Sequence, residues 1–296
     1  MKKIDIHVHC ALHDQASLQE AHQACGPEAL RKHLEKQRIG RAVLLSCGER
    51  SDSNVFPDND GCCAIAMQYP QFYSWMCNIS PGAEATVVSR LEHCKARGAI
   101  GIGELMINQW LDSPLLETIL GAAQALELPV TFHMSPEPGF SYGICDMPGL
   151  PLLEKALRKY PNLKFVGHSQ MFWLEISGDC PQEGREARIQ WGHGPVIPGG
   201  RLIELFENYP NLYGDLSANS GSCAIMRDQF FGLSFLERFS DRLLFATDTV
   251  NTDQVFPLGN YLDRAVQQGR LSSTAYENIC RKNAQRLYHL DTIEKE

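Results

Sequence analysis

His7-Val8-His9 is the first stretch of the chain whose residue types and spacing could do chemistry. Successive side chains of a strand point to opposite faces, so both imidazoles would share one face and the valine the other. Two imidazoles aimed the same way make a clamp for a transition metal. Four further metal-competent groups sit at the ends of apolar runs: Glu104 after Gly101-Ile102-Gly103, His133 after Val130-Thr131-Phe132, His168 after Phe165-Val166-Gly167, and Asp248 after Leu244-Phe245-Ala246-Thr247. A carboxylate ending an apolar run is costly to bury unless it meets a partner. The shared position and the restriction to His, Glu and Asp point to one metal site made of His7, His9, Glu104, His133, His168 and Asp248.

Imidazoles mixed with carboxylates suit zinc, iron, cobalt, nickel or manganese and argue against calcium or magnesium. Zinc is the first expectation and manganese the alternative. Six protein ligands exceed the three that a catalytic zinc usually takes. Two ions would share them most simply, with Glu104 bridging, His7, His9 and Asp248 on one ion, and His133 and His168 on the other. A single ion, with some of these residues turned to substrate, stays open.

The elements that must position these groups read as eight β-rich runs: Ile4–His9, Arg41–Ser46, Phe72–Ile79, Ala99–Leu105, Pro129–Met134, Leu163–His168, Leu212–Leu216 and Leu243–Thr247. Amphipathic segments alternate with them, the pattern of parallel βαβ units. Near-continuous apolar runs such as Ala42–Leu45 are what strands buried on both faces need. Ser113-Pro114 is placed to cap and open a helix through Glu127, and Gly149-Leu150-Pro151 to open another that Pro161 ends. The tetrapeptide Tyr-Pro-Asn-Leu recurs at 160–163 and 209–212, each time where a helix hands over to a strand. Eight units without a linker predict an α/β chain folded as one (β/α)8 barrel over residues 1–296, whose active site lies where the strands end. The longest connection, Ser169–Gly200 after the sixth strand, is the predicted lid; its alternative is a surface excursion with its own small core around Phe172, Trp173 and Trp191.

Composition bounds the rest. The chain has 296 residues, 44% of them hydrophobic and 21% charged, as an ordinary globular enzyme would. A net charge of −8 gives no reason to expect nucleic acid or an anionic membrane as partner, and no run is long enough to span a bilayer. A small-molecule substrate is expected; a homo-oligomer is left open. Met1-Lys2-Lys3 leads into a strand pattern rather than a signal peptide, so the expected location is the cytoplasm. Eleven cysteines without CxxC spacing read as small buried thiols in a reducing compartment.

The order of these motifs resembles the amidohydrolase superfamily, within it the amidohydrolase-related (amidohydrolase 2) group. The resemblance runs over essentially the whole chain, through Asp5-Ile6-His7-Val8-His9, Gly103-Glu104, His133, Gly167-His168, Thr247-Asp248 and Asn283-Ala284-Gln285-Arg286-Leu287-Tyr288. Glu104 looks like the bridging carboxylate of TatD-type hydrolases, and no lysine ends the fourth strand. Proline is missing after Asp248, where relatives often carry it, a departure that touches loop shape. The resemblance implies a metal-dependent hydrolase that turns an activated water on a small ester, lactone, amide or phosphoester. Asp248 would be the general base and acid, and His168, or His133, would steady the oxygen. The same group holds non-oxidative decarboxylases of aromatic or unsaturated carboxylic acids, the alternative; a metal-binding sensor without activity is a third reading.

Secondary candidates are weighed against ordinary roles. Asp215 could orient a ligating imidazole or be a loop carboxylate. Cys10 and Cys47 could line the pocket or simply pack. His193 and Arg185, Arg188 and Arg201 could reach substrate from the lid, or be solvated. His13, His22, His33, His93 and His289 are expected at the surface.

Overall fold

The computed structural model describes residues 1–12, 24–50, 56–82 and 84–291; His13 and His22 lie outside them. The predicted strands all form, most of them shorter than their apolar runs: β1 Lys3–Val8, β2 Ile39–Leu45, β3 Tyr73–Met76, β4 Ile102–Leu105, β5 Val130–Phe132, β8 Phe165–Gly167, β9 Leu212–Asp215 and β10 Leu243–Leu244. The short pair β6 Met134–Ser135 and β7 Ile144–Cys145, in the connection after β5, was not foreseen.

Hydrogen bonds run β1-β2-β3 in one arc and β4-β5-β8-β9-β10 in the other, all parallel. Two bridges join the arcs, Cys77 with Ile102 and Val8 with Thr249. The second seam is reinforced where Ile6 N–H donates to the Phe245 carbonyl and Asp248 N–H to the His7 carbonyl at 2.8 Å. The sheet therefore closes on itself as an α/β barrel, as the sequence predicts. Helices such as Pro27–Lys36, Pro114–Ala125 and Arg201–Asn208 cover its outside. Helix 151–159 starts at Pro151 as expected. Ser113 stands at the predicted cap position, but its hydroxyl makes no capping bond; Pro114 alone marks that start.

The interior holds Ile4, Ile6, Val43, Leu45, Met76, Val166, Leu244 and Ala246. Ala284, Leu287 and Tyr288 of the helix Asn283–Tyr288 join them, beside Ile100 and Tyr213 near the strand starts, so this helix stoppers the end opposite the histidines. Asn283 pins it by donating to the carbonyls of Ser240 and Leu243 at 2.8 and 2.7 Å.

Simple alternation cannot put both Ile4/Ile6 and His7/His9 inside, because the two pairs have opposite parity. A bulge resolves the conflict: Asp5 pairs with Ala42 but Val8 with Leu44, three steps against two. A second bulge lies between Ile102 and Leu105 against Val130 and Phe132, where Glu104 sits. Bulges re-aim side chains, and both here fall on strands that carry site residues.

The connection Ser169–Gly200 does not make its own core. Phe172 and Trp173 are buried in the main core, with Gly167 so close under Phe172 that a Cβ would lie 2.3 Å from its ring. Trp191 is 46% exposed.

Candidate metal centre

All six predicted ligand residues lie at one mouth of the barrel. His7 and His9 turn their Nε2 atoms towards each other at 3.2 Å. Glu104 Oε2 is 3.8 Å from both of these nitrogens, and Asp248 Oδ1 is 3.5 and 3.6 Å from them. His168 Nε2 stands 3.7 Å from Glu104 Oε1 and 3.8 Å from Asp248 Oδ2. Donors about 2.0–2.2 Å from one ion sit roughly 3–4 Å from each other, so these spacings suit a shared cation.

The outer nitrogens explain why the inner ones converge. His9 Nδ1 lies 3.1 Å from the Leu45 carbonyl, which can only accept, so Nδ1 carries the hydrogen. His7 Nδ1 donates to Asp215 Oδ2 at 2.7 Å. Neutral rings held in these tautomers would aim two bare lone pairs at each other across 3.2 Å, an arrangement that calls for a cation between them, either a proton on His7 or a metal ion. His168 Nδ1 is held by the Ser217 hydroxyl at 2.9 Å. Asp215 therefore has the orienting role weighed for it, and Ser217 joins it. The serine left no signal beyond lying two residues after the aspartate.

His133 is turned differently. Its Nδ1 meets Glu104 Oε1 at 2.8 Å, and its ring lies under Tyr142 with centroids 4.2 Å apart. Glu104, His133 and His168 still present donor atoms within 4.8 Å of one another, as do His7, His9 and Glu104, and His7, His168 and Asp248.

Electrostatics point the same way. Burial alone would lower the His7 pKa, but the Asp248, Asp215 and Glu104 carboxylates overcome it and raise it to about 10. Burial and the neighbouring His7 charge lower His9 to about 4, and burial lowers His168 to about 3. Glu104, whose burial would raise it, is held well below the usual carboxylate range by His133, His7 and His168. Burial lifts Asp248 to about 7 against the pull of His7, with Glu104, Asp215 and Asp5 adding to the rise. Asp248 is 27% exposed at its side chain, whereas His7, His9, Glu104, His133 and His168 are nearly sealed. It sits in the left-handed region at φ 58°.

Two supports were not singled out from the sequence. Asp5 accepts from the His7 N–H at 3.1 Å and from the Thr247 N–H and hydroxyl at 3.0 and 2.6 Å, tying the β1 bulge to the segment that ends in Asp248. Asn78 donates to the Ser46 carbonyl at 2.9 Å and to the Glu104 carbonyl at 2.6 Å. Asn59 holds Asn78 from behind through both its N–H and its carbonyl. The clue to Asn78 was a polar residue ending an apolar run, as at Glu104 and His133.

Cys47 apart, the other candidates fall away from the centre. Cys10 is buried in the core, while Cys47 Sγ lies 3.9 Å from His9 Nδ1, and none of the eleven cysteines is in a disulfide. Arg185 pairs with Glu137, Arg201 with Glu154 and Glu204, and Arg188 is buried with one nitrogen on the Asp146 carbonyl. His193, His93 and His289 are exposed. His33 departs from its expected surface place, half-buried with Nε2 2.8 Å from the Gln254 carbonyl. Among the described residues no helix is long and apolar enough to cross a membrane.

A search of curated proteins gave no match. Solved structures share the fold at low identity. The 2,6-dihydroxybenzoate decarboxylase from Rhizobium matches at 17% identity and TM-score 0.63, covering 99% of this chain and 100% of its own. A probable 2-pyrone-4,6-dicarboxylic acid hydrolase from Acinetobacter baumannii, with citric acid bound, matches at 15% and 0.58, covering 98% and 100%. A dihydroxybenzoic acid decarboxylase from Polaromonas sp. JS666, with bound manganese and the inhibitor 2-nitroresorcinol, matches at 17% and 0.57, covering 99% and 98%. The amidohydrolase (Amidohydro_2) family model matches residues 4–290, and the chain belongs to that family.

Proposed function

We propose that the protein is a metal-dependent decarboxylase that removes carbon dioxide from an aromatic or unsaturated carboxylic acid without an oxidant. The observation that carries this reading is the set of donor atoms gathered on the His7–His9 pair. Glu104 Oε2 and Asp248 Oδ1 face those two imidazoles, His168 faces the other oxygen of each carboxylate, and His133 is engaged through Nδ1 with Glu104. One ion, rather than a bridged pair, suits that set. Zinc and manganese both accept such mixed donors, and three imidazoles with two carboxylates exceed the three protein ligands of an ordinary catalytic zinc. Two of the three structural relatives described above are decarboxylases, one with manganese bound. When bound, a divalent cation supplies positive charge that orients an anionic substrate and draws electron density from it.

The chain's own groups do the rest. Asp248, the most open carboxyl of the ring, faces the substrate and carries the proton. As the bond to the departing carboxylate breaks, its electron pair stays on the ring or alkene carbon and the Asp248 proton adds there. Carbon dioxide leaves, and water returns a proton to Asp248. Asp215, Leu45 and Ser217 keep the three imidazoles in their tautomers.

Hydrolysis is the second reading, favoured by the Glu104, His133 and His168 cluster, which offers places for another ion. There Asp248 would take the proton from water and pass it to the leaving group. The two separate in one experiment: protein loaded with manganese or zinc, assayed for carbon dioxide release from 2,6-dihydroxybenzoate and other hydroxybenzoates and for opening of a pyrone lactone, alongside metal analysis. One ion per chain with carbon dioxide release is expected. Two ions per chain with lactone opening and no carbon dioxide would overturn the proposal in favour of hydrolysis.

A further inference from the structure

Tyr142 stands over the mouth in a position that the metal centre does not require. Its ring leans on His133 with centroids 4.2 Å apart and planes tilted by 40°, yet the residue is 57% exposed. The backbone beneath it is fixed at several points. Gly143 has φ 111°, and a Cβ there would lie 2.8 Å from the His133 carbonyl group, so the next residue passes flat against β5. Ile144 N–H donates to the His133 carbonyl at 2.7 Å, and Gly143 N–H to the Met106 carbonyl at 3.2 Å. Asn108 donates to the Gly143 carbonyl at 3.0 Å. From above, the long connection docks on the same loop, with Arg185 on Glu137 and over the Phe140 ring. A large aromatic held this firmly and still left open is built to be touched.

A second ring lines the same mouth. Phe56 lies edge-on to His9, centroids 6.2 Å apart. His9 follows β1 and His133 follows β5, four places apart in the ring of eight strands, so the two aromatics belong to opposite sides of the mouth. Paired aromatic walls select flat ligands, because offset stacking and edge contacts need a planar partner. The Tyr142 ring lies on His133, and its phenol offers a donor to an oxygen substituent of a ring bound over the centre.

We infer that Tyr142, opposite Phe56, is the specificity-determining residue of this site and admits a planar aromatic acid carrying a ring hydroxyl. This deepens the decarboxylase reading and rests on it for the reaction, while the binding preference can be tested without turnover.

The experiment titrates metal-loaded protein by calorimetry with 2,6-dihydroxybenzoate, benzoate and the saturated cyclohexanecarboxylate, for wild type, Tyr142→Phe and Tyr142→Ala. Wild type is expected to bind in that order of decreasing affinity. Tyr142→Ala should lose about tenfold or more for both aromatic acids and little for the saturated one. Tyr142→Phe should lose affinity for the hydroxylated ring alone. Metal content and melting temperature of both variants should match wild type, which a merely structural tyrosine would not combine with an altered ligand order. Wild type that takes the saturated acid as readily as the aromatic ones, or a Tyr142→Ala protein that keeps the aromatic preference, would overturn the inference. Aromatic selectivity without carbon dioxide release would leave it standing and remove the decarboxylase reading instead.

Discussion

At the mouth of the barrel His7, His9, Glu104, His168, Asp215 and Asp248 crowd together, and the outer nitrogen of each imidazole there has a named partner. At the far end Ile4, Val43, Val166 and Leu244 pack against Leu287 and Tyr288 of the last helix. Both ends are buried, but by different means. The apolar end is held by burial, which is non-directional and tolerates small shifts. The polar end is held by hydrogen bonds whose geometry decides which nitrogen is free, so it depends on partners from β2, β9 and the segment after it. The contrast teaches where each kind of substitution should be felt: chemistry at one end, stability at the other.

The sharpest way to break this contrast is Asp248→Asn, which keeps the shape and removes the transferable proton. Turnover should fall by about 10²–10⁴-fold with the fold intact, checked by steady-state rates beside circular dichroism. An unaltered rate would strip Asp248 of its role. At the opposite end, Leu244→Ala should cost about 2–5 kcal/mol in denaturant unfolding while metal occupancy of the folded protein stays at the wild-type level. Loss of metal at equal folding would erase the distinction between the ends.

Asp215→Asn probes the partnership behind the clamp. It weakens the acceptor that fixes His7, and metal affinity should drop by about 10–100-fold in a chelator competition. The same competition read against pH sharpens the electrostatic side. In the metal-free protein three carboxylates keep His7 protonated until about pH 10, so an incoming ion must expel that proton. Affinity should therefore rise with pH, by about tenfold per unit while one proton is exchanged, and fall as pH drops. A flat profile between pH 7 and 9 would mean that His7 is not a ligand. The smallest effect is expected from Asn78→Ala, which frees the Glu104 carbonyl without touching a ligand atom. The variant should lose about 1–3 kcal/mol of stability, with metal affinity reduced only several-fold. Loss as large as that of Asp215→Asn would make Asn78 part of the centre proper.

Much of this arrangement was legible beforehand, for identifiable reasons. The runs ending in His9, Glu104, His133, His168 and Asp248 are local patterns of apolar residues, and the strand ends of a parallel barrel share one face, so the ligand set follows from reading each run to its last residue. Asp215 was visible by the same logic. Asn78 and Ser217 were passed over because amides and hydroxyls near strand ends are common, and Tyr142 because rings in connections are; only their partners mark these three. The connection after the sixth strand misled in one respect: Phe172 and Trp173 looked, in the alternative to a lid, like a separate small core, but the bare surface of Gly167 lets Phe172 sink into the main one.

Sequence by itself determined the alternation of strands and helices, the eight-strand closure and the six residues brought to one mouth, since these follow from periodicity and from which side chains avoid burial alone. Tertiary structure decided how those six are used. The bulge in β1 settles which histidines face inward, and the Leu45 carbonyl and Asp215 select the free nitrogens. The turn of His133 sets its Nδ1 against a Glu104 oxygen. Each of these depends on a rotamer or tautomer chosen by a partner far away in the chain, and periodicity carries no information about such partners.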